Sequence, residues 1–361
     1  MPQGLEQDGK KPRRRSRGER FLETLAGAPE AIVLTHSTPD PDAIASGWGL
    51  CVLIEEKLSV PVQLVAGGLI SRAENRALVR LLKPPLELVG DDWAPSEAAA
   101  LVVVDTAFLP RLPGLPTGQV AAVIDHHAPV KGQAALAASF RDLRPRLVAT
   151  SSIVTTYLRE LKVQPAAPLA TALTYGIYSD AGVHEKFTPT DSAALSWLAR
   201  RMDPALFGQI GNPPLESAYY EDLALALESC FTYDGVALCF LPRASCPEVV
   251  GEVADLLIRG EGIESVLCAA VVESRMICSA RTSTQGGSAA DLVGKTLKDE
   301  SGASWGGHEH RAGGHVNLNA CPLSPSDLEG RIRQNWLAAT GVEKQRGLRL
   351  VAKKEILRAL Q

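Results

Sequence analysis

The chain has 361 residues, of which 45% are hydrophobic and 22% charged, and its formal net charge is −4. This composition is typical of a globular protein with enough apolar residues to build a core in each of two domains. The small net charge excludes a strongly basic surface of the kind that binds long nucleic acids. No run approaches the ~18 apolar residues of a membrane span, so we expect no membrane association.

The charge is unevenly distributed along the chain. Residues 1–20 contain seven basic and three acidic residues, and residues 341–361 contain six basic and two acidic residues. Such runs predict solvated, disordered tails more strongly than nucleic-acid contacts. The body between them is more acidic than the whole chain, which suits a site that binds divalent cations.

The cysteines and the N-terminus indicate the compartment. The seven cysteines are odd in number and form no C-x-x-C pair, which argues against a disulfide framework and a zinc ribbon. The basic N-terminal residues are not followed by an apolar segment, so a secretory signal is not expected. We therefore predict a cytoplasmic protein.

Short apolar runs in the first half predict buried strands that end in polar residues. They cover 31–34, 62–66, 101–104 and 120–124. Helix-length stretches at 43–57 and 72–82 lie between the earlier runs. This alternation favours βαβ units in an α/β, doubly wound, mostly parallel sheet. Ligands of such sheets bind beyond the carboxyl ends of the strands.

The second half contains a change of pattern. Segments 150–161 and 168–178 predict helices, 204–214 is expected to be loop-like, and 216–229 predicts a connector helix. Strand-like segments resume at Tyr233 and predict a second, smaller α/β domain. The predicted divisions are a basic disordered tail (1–20), a metal-binding catalytic domain (21–203), a linker with its helix (204–232), a substrate-binding domain (233–341) and a basic C-terminal tail (342–361).

Several acidic and histidine residues follow the predicted strands or end a helix. Four carboxylates and two imidazoles at one sheet edge would repel one another without cations. Two divalent ions would neutralise the four carboxylates. Aspartate and histidine ligands without cysteine favour Mn²⁺, with Mg²⁺, Co²⁺ and Fe²⁺ as alternatives. The residues concerned are His36, Asp40, Asp42, Asp105, His126 and Asp180.

A simpler explanation exists for each aspartate taken alone. An aspartate at a strand end is more often a helix N-cap than a metal ligand. Asp42, for example, can cap a helix that starts at Ala43. The number of such residues in corresponding positions favours the two-metal interpretation.

The motifs resemble those of the DHH phosphoesterase superfamily. The C-terminal part resembles the associated DHHA1 domain, and the two-domain size and the stretch Ser71–Ala77 resemble the branch of nanoRNases and pAp phosphatases. Trp305, where the family usually has a glycine, and Gly313-Gly314, where Ala-Gly is common, depart from the pattern. The matching motifs are His36-Ser-Thr-Pro-Asp40-Pro-Asp42-Ala-Ile-Ala-Ser46, Val103-Val104-Asp105, Asp125-His126-His127, Tyr178-Ser179-Asp180-Ala181-Gly182, Ser279-Ala280-Arg281-Thr282-Ser283 and Gly306–Gly314.

The resemblance implies a role for each of these residues. Asp105 would bridge the two metals, Asp125 would hold a ligand histidine through a hydrogen bond, and His127 would contact the substrate phosphate. The implied ligands are His36, Asp40 and Asp105 for one metal, and Asp42, Asp105, His126 and Asp180 for the other.

The C-terminal motif predicts recognition of a substrate phosphate. Glycine N–H groups can surround an anion, and arginines can bind it with two hydrogen bonds. A zinc cluster of His308, His310 and His315 and a purely structural glycine turn are alternatives, and His184 is expected to be a cleft-wall residue. The predicted substrate-binding residues are Arg281, Gly306, Gly307, His308, Arg311, Gly313 and Gly314.

With metals on one domain and an anion site on the other, we expect the active site in the interdomain cleft. The leading hypothesis is a Mn²⁺-dependent 3′–5′ exoribonuclease acting on short RNA oligonucleotides, with phosphatase activity on the small nucleotide pAp. A cyclic dinucleotide phosphodiesterase is the alternative. An inorganic pyrophosphatase and a non-catalytic nucleotide sensor are less favoured. A homodimer is compatible with these functions.

Overall fold

The computed structural model describes residues 15–70, 72–90, 92–106, 108–109, 115, 120–127, 136–181, 187–307, 309–343 and 346–351. The chain divides into two compact units, Met1–Pro213 and Pro214–Gln361. None of the helices within the described ranges combines the length and apolar composition that a membrane span requires.

The first unit is built on a six-stranded, fully parallel sheet. Its strand order is β3-β2-β1-β4-β5-β6. The strands are β1 (Ala31–Leu34), β2 (Val62–Ala66), β3 (Leu86–Leu88), β4 (Ala100–Val104), β5 (Val120–Asp125) and β6 (Ala138–Leu143). The helices are α1 (Arg17–Leu25), α2 (Pro41–Leu58), α3 (Ala73–Leu82), α4 (Thr150–Glu160), α5 (Ala167–Asp180), α6 (Pro189–Leu198) and α7 (Pro204–Gly211).

The structure confirms the predicted parallel sheet. Its strand order includes a switch point, at which successive strands stop being added on one side of β1 and continue on the other side. After β1 the chain moves outward to β2 and β3, and then returns to place β4 on the other side of β1. At such a switch point the connections leave adjacent strands in opposite directions, which opens a crevice beyond their carboxyl ends.

The two faces of this sheet are covered differently. Val33, Val102 and Ile124 belong to a large core that includes residues of α2, α4 and α5. The alternate residues on the other face, such as Val103, pack with Trp93 and other residues outside the helices. Both faces are buried, which explains why the strands are continuously apolar.

A buried carboxylate fastens helix α1 to the sheet. Asp142 on β6 is fully buried, and its oxygens accept hydrogen bonds from Arg17 at 2.5 Å, Arg144 at 2.7 Å and the Tyr157 hydroxyl at 2.5 Å. These partners come from α1, the segment after β6, and α4. Helix α1 begins inside the predicted tail 1–20, because Ser16 and Glu19 form a capping box at its start. Residues 1–14 of that tail lie outside the described residues.

Segment 204–214 differs from the expected loop. It forms α7, because Asp203 accepts hydrogen bonds from the N–H groups of Ala205 and Leu206, and Pro204 occupies the first helical position. The loop prediction is wrong here because proline and glycine were taken as breakers, although proline at a helix start favours the helix.

The second unit is a mixed seven-stranded sheet with helices on both faces. Helices α8 and α9 pack on one face, and α10 and α11 on the other. The strand order is β11-β12-β10-β9-β8-β7-β13, in which only the β8–β9 pair is parallel. Its elements are α8 (Ser217–Ser229), β7 (Cys230–Tyr233), β8 (Val236–Leu241), α9 (Pro247–Leu257), β9 (Ser265–Val272), β10 (Arg275–Thr282), α10 (Ala289–Leu297), β11 (Ala303–Gly307), β12 (Arg311–Asn317), α11 (Pro325–Ala339) and β13 (Leu348–Arg349). Strand β13 pairs with β7 although it lies within the predicted tail 342–361.

We expect Asp142→Ala to lower the free energy of unfolding of the first unit by about 3 kcal/mol, because it leaves two arginines and a buried hydroxyl without their shared acceptor. Glu23→Ala removes an exposed ion pair with Arg15 and is the matched control, with an expected change below about 1 kcal/mol. Urea unfolding followed by circular dichroism measures both. Equal stability of the two variants would contradict the anchoring role of Asp142.

Candidate metal centre

The candidate site lies where the parallel strands end. His36 follows β1, Asp105 follows β4, and Asp125 is the last residue of β5. Because β1, β4 and β5 are neighbours in the sheet, their carboxyl ends bring these side chains to one edge. The topology therefore assembles residues that are far apart in the sequence.

Asp105 is at the centre of this group. Its side chain is buried, and its backbone has a left-handed conformation with φ of 58°. Non-glycine residues adopt this region infrequently, and such conformations cluster at functional sites. Its Oδ2 lies 3.7 Å from His36 Nε2, and its Oδ1 lies 3.7 Å from His126 Nε2. The two oxygens thus face two different histidines.

One set of candidate ligands consists of His36, Asp40 and Asp105. Their ligand atoms all lie within 4.8 Å of one another. Asp40 Oδ1 is 3.9 Å from His36 Nε2 and also accepts the N–H of Ala43 at 3.0 Å. Asp40 therefore caps helix α2, the role that the simpler explanation assigned to Asp42.

A second set consists of Asp42, His126 and Asp180, again within 4.8 Å of one another. His126 Nε2 lies 3.2 Å from Asp180 Oδ2. Asp42 is fully buried and accepts the N–H groups of Thr150 and Ser151 at 2.7 and 2.8 Å. It therefore caps helix α4, and each of its oxygens retains a lone pair that can face a cation.

His127 is oriented by Asp125. The carboxylate of Asp125 accepts both the N–H of His127 at 3.0 Å and its ring Nδ1 at 2.7 Å. The resemblance gave Asp125 the task of holding a ligand histidine, and in the structure the histidine that it holds is His127. The ligand atoms of His127, His126 and Asp105 form a third set within 4.8 Å.

The tautomers of the other two histidines follow from their neighbours. His36 Nδ1 lies 3.0 Å from the carbonyl of Ser37, and His126 Nδ1 lies 3.2 Å from the carbonyl of Leu147. A carbonyl only accepts, so each Nδ1 carries a proton and each neutral ring presents the lone pair of Nε2 to the carboxylates. A lone pair and a carboxylate repel each other unless a cation or a proton lies between them.

Electrostatics points in the same direction. Burial raises the pKa of Asp105 well above its ordinary value, and the charges of Asp42 and Asp40 raise it further. Burial also raises the pKa of Asp180 to about 7. Burial works to lower the pKa of His126, but Asp180 beside it and the charge of Asp42 raise it to about 9. Without a cation, these groups retain protons to limit their repulsion.

Several buried side-chain atoms at the site have no hydrogen-bond partner, among them Asp105 Oδ2, Asp125 Oδ2 and His126 Nε2. Buried polar atoms are normally satisfied, and such exceptions mark an ion or a functional role. Together with the oxygen and imidazole donor set, they show that these residues fit divalent metal ions. The identity of the metal is left open by the donor set.

Some contributors to the site were absent from the sequence predictions. Thr150 and Ser151 at the start of α4 contact Asp42, and the Thr150 hydroxyl also bonds Asp105. Gly176 on α5 allows close packing, because a Cβ there would lie 2.7 Å from Ser151 Oγ and 3.1 Å from Asp42 Cα. The only sequence signal was the run of hydroxyl residues at a predicted helix start.

In the second unit, Arg281 is fully engaged by protein groups. It donates to both oxygens of Asp255, at 2.6 and 3.2 Å, and to Ser279 Oγ and the carbonyls of Ala280 and Gly251. These contacts account for its five N–H groups. In this conformation Arg281 joins β10 to α9 and has no donor left for the bidentate phosphate contact that the sequence suggested.

Arg311 differs from Arg281 although the two are register partners on β12 and β10. Its side chain is 46% exposed and reaches Asp255 only at 3.7 Å. Gly307 has a structural reason to be glycine, because a Cβ would lie 2.4 Å from Ala312 Cα, whereas Gly306 faces open space. Among the described members of the predicted anion site, Arg311, Gly306 and Gly307 are exposed.

Other predicted residues of this region are placed as follows. Gly313 and Gly314 lie on β12, opposite Gly306 and Trp305 of β11. His315 also lies on β12, and His310 directly precedes that strand. His308 and His184 lie outside the described residues, so the zinc alternative and the cleft-wall role stay predictions.

Comparisons with known proteins agree with the fold. No family model matches the chain. An uncharacterized protein of Methanocaldococcus jannaschii is 32% identical over 322 residues, which cover 87% of this chain and 65% of that protein. The chain thus spans less than two thirds of this relative's length.

Among solved structures, an exopolyphosphatase-related protein from Bacteroides fragilis is similar with a TM-score of 0.63 and 15% identity, covering 90% of this chain and 96% of that chain. This similarity shows a shared fold. A pGpG-specific phosphodiesterase, PggH, from Vibrio cholerae matches 85% of this chain and 100% of its own, with 10% identity and a TM-score of 0.36, which is too low to support an argument.

We expect the stabilisation by Mn²⁺ to increase with pH. The folded-state pKa values of Asp180, about 7, and His126, about 9, exceed their ordinary values, 3.8 and 6.5. Protons on these groups therefore stabilise the metal-free fold, and this stabilisation is lost as the pH rises through those values. The same groups must lose their protons before they can bind a metal ion. The gain in melting temperature should be larger at about pH 8 than at about pH 6.

Calorimetric titration in buffers of different ionisation enthalpy should also show that protons are released on binding. A gain in melting temperature that is independent of pH, without proton release, would contradict this assignment of the protonated groups.

The two arginines should respond differently to truncation. Arg281→Met should destabilise the second unit by about 2 kcal/mol, because Asp255 and two carbonyls lose their donor. Arg311→Met should change stability by less than about 0.5 kcal/mol, while raising the KM for a phosphorylated substrate. Unfolding curves and steady-state kinetics separate the two effects. If Arg281→Met kept full stability and lost substrate binding, the sequence interpretation of Arg281 would be restored.

Proposed function

We propose that the chain is a metal-dependent phosphoesterase of the DHH type, which hydrolyses short nucleotide phosphoesters with Mn²⁺ as the preferred ion. The observation that carries this proposal is Asp105, whose two oxygens face one candidate ligand set each. A carboxylate shared between two cation sites is the arrangement that two-metal hydrolysis requires.

The bound ions would supply Lewis-acid activation of water and neutralisation of phosphate charge. His36, Asp40 and Asp105 would hold one ion, and Asp42, His126 and Asp180 the other. Asp105 would also contribute to the second ion, because its Oδ1 lies near His126. The carbonyls of Ser37 and Leu147 keep a proton on Nδ1 of the two histidines, so that Nε2 faces the ion.

His127 is the group that we assign to proton transfer. Asp125 fixes a proton at its Nδ1 and sets the ring orientation. Nε2 is then the nitrogen that can donate to the leaving oxygen when the ring is protonated. Burial works to raise the pKa of Asp125, but the hydrogen bonds and the charge of His127 together lower it below its ordinary value. Asp125 therefore stays ionised and remains the acceptor for His127 Nδ1.

We propose that the substrates are short RNA oligonucleotides, cleaved from the 3′ end, and the small nucleotide pAp. The accessible Arg311 and Gly306 in the second unit support recognition of an additional phosphate. Inorganic pyrophosphate is a less favoured substrate, because it has no nucleoside for the second unit to bind.

A substrate panel with Mn²⁺ tests the proposal. It contains pAp, pGpG, a short oligoribonucleotide, cyclic di-AMP and pyrophosphate. We expect release of AMP and phosphate from pAp and shortening of the oligoribonucleotide. Turnover of cyclic di-AMP alone would instead make the chain a cyclic dinucleotide phosphodiesterase, and turnover of pyrophosphate alone, or of none, would overturn the proposal.

Asp105→Ala should lose nearly all turnover and bind fewer than two metal ions, because it removes the two oxygens that lie near His36 of one set and His126 of the other. Asp92→Asn, at an exposed position, is the control and should match the wild type. Turnover of pAp and the metal content by mass spectrometry measure both variants. A fully active Asp105→Ala protein would refute the bridging role.

A further inference from the structure

Helix α4 begins against the candidate metal centre and donates three hydrogen bonds to two of its carboxylates. The N–H groups of Thr150 and Ser151 donate to Oδ2 and Oδ1 of Asp42. The Thr150 hydroxyl donates to Oδ1 of Asp105 at 2.8 Å. All of these residues are buried. The positive end of the helix dipole thus adjoins a group of negative side chains.

The hydroxyl bond differs in function from the two N–H bonds. The N–H groups cap the helix and would remain with almost any residue at position 150. The hydroxyl makes the one side-chain hydrogen bond to Asp105 found among the described residues. It therefore determines how the carboxylate of Asp105 is rotated.

The rotation matters because the two oxygens have different neighbours. Oδ1, which the Thr150 hydroxyl binds, is the oxygen nearer to His126. Oδ2 is buried, lacks a hydrogen-bond partner and faces His36 at 3.7 Å. A carboxylate that rotated freely about χ2 would spend part of its time with neither oxygen directed at a ligand set.

We propose that Thr150 is a positioning residue for the metal centre: its hydroxyl fixes Asp105 so that one oxygen is directed at each ligand set. This inference rests on the proposed two-metal function. Groups that orient metal ligands contribute strongly to metal affinity although they do not touch the ion.

Helix α4 provides a matched control for the test. Thr150→Val removes the hydroxyl, keeps a similar shape and retains the N–H that caps the helix to Asp42. Thr155 is another buried threonine on the same helix, and its hydroxyl has no hydrogen-bond partner. Thr155→Val therefore makes the same chemical change without removing a contact. Thr150→Ser restores the hydroxyl without the methyl group.

Calorimetric titration of the metal-free, full-length chain with Mn²⁺ provides a readout that does not depend on turnover. We expect Thr150→Val to weaken Mn²⁺ affinity about 10- to 100-fold. Thr150→Ser should bind nearly as tightly as the wild type, and Thr155→Val should match it. Electron paramagnetic resonance of the Mn²⁺ complexes should show weaker coupling between the two ions only in Thr150→Val.

Wild-type affinity and coupling in a folded Thr150→Val protein would overturn the positioning role. Circular dichroism establishes folding, and Thr150→Ala replaces the valine variant if that variant does not fold. A wild type that binds two Mn²⁺ ions but hydrolyses no member of the substrate panel would refute the proposed function and leave this inference standing. A wild type that binds no Mn²⁺ would refute both.

Discussion

Asp105 is buried beside other carboxylates, and this electrostatic constraint explains the arrangement of the groups around it. A buried carboxylate is costly unless it is paired, and here its neighbours add charge of the same sign. The start of α4 donates a hydrogen bond to Asp105, and an imidazole lies near each of its oxygens. The backbone of Asp105 itself is in the left-handed conformation. This arrangement is consistent with divalent cations, which would offset the repulsion between the carboxylates.

The parallel sheet holds these charged side chains in fixed positions. Its strands are covered on both faces, so their ends are fixed by two packed layers. The switch between β1 and β4 then places His36 and Asp105 beside each other without long loops. Helices α4 and α5 complete the group from the helical face, with Gly176 permitting the close approach that brings Asp42 to Ser151. The second unit shows the opposite strategy, since a salt bridge to Asp255 saturates Arg281 and leaves Arg311 accessible.

The sequence predicted the order of elements and the candidate ligands because both depend on local patterns. Apolar runs such as 31–34 and 120–124 are the strands β1 and β5 with shifts of at most one residue. The exchange of roles between Asp40 and Asp42 was not predictable, because both lie at the start of α2 and only the position of α4 decides which helix each one caps. The saturation of Arg281 depends on α9, which is remote in sequence from β10. Helix α7 was missed for a local reason, since Pro204 was taken as a breaker although Asp203 precedes it as a cap.

The candidate ligands are widely separated along the chain, from His36 to Asp180. The last ligand in sequence order is Asp105 for one set and Asp180 for the other. The set of His36, Asp40 and Asp105 is complete once β4 has joined the sheet, whereas the other set also needs the end of α5. During synthesis the nascent chain would therefore complete its two candidate ligand sets in sequence, the second only after all six strands and the helices up to α5 have been made. An ion bound to the second set would therefore require that the chain has folded through α5, which follows from the order of the ligands in the sequence.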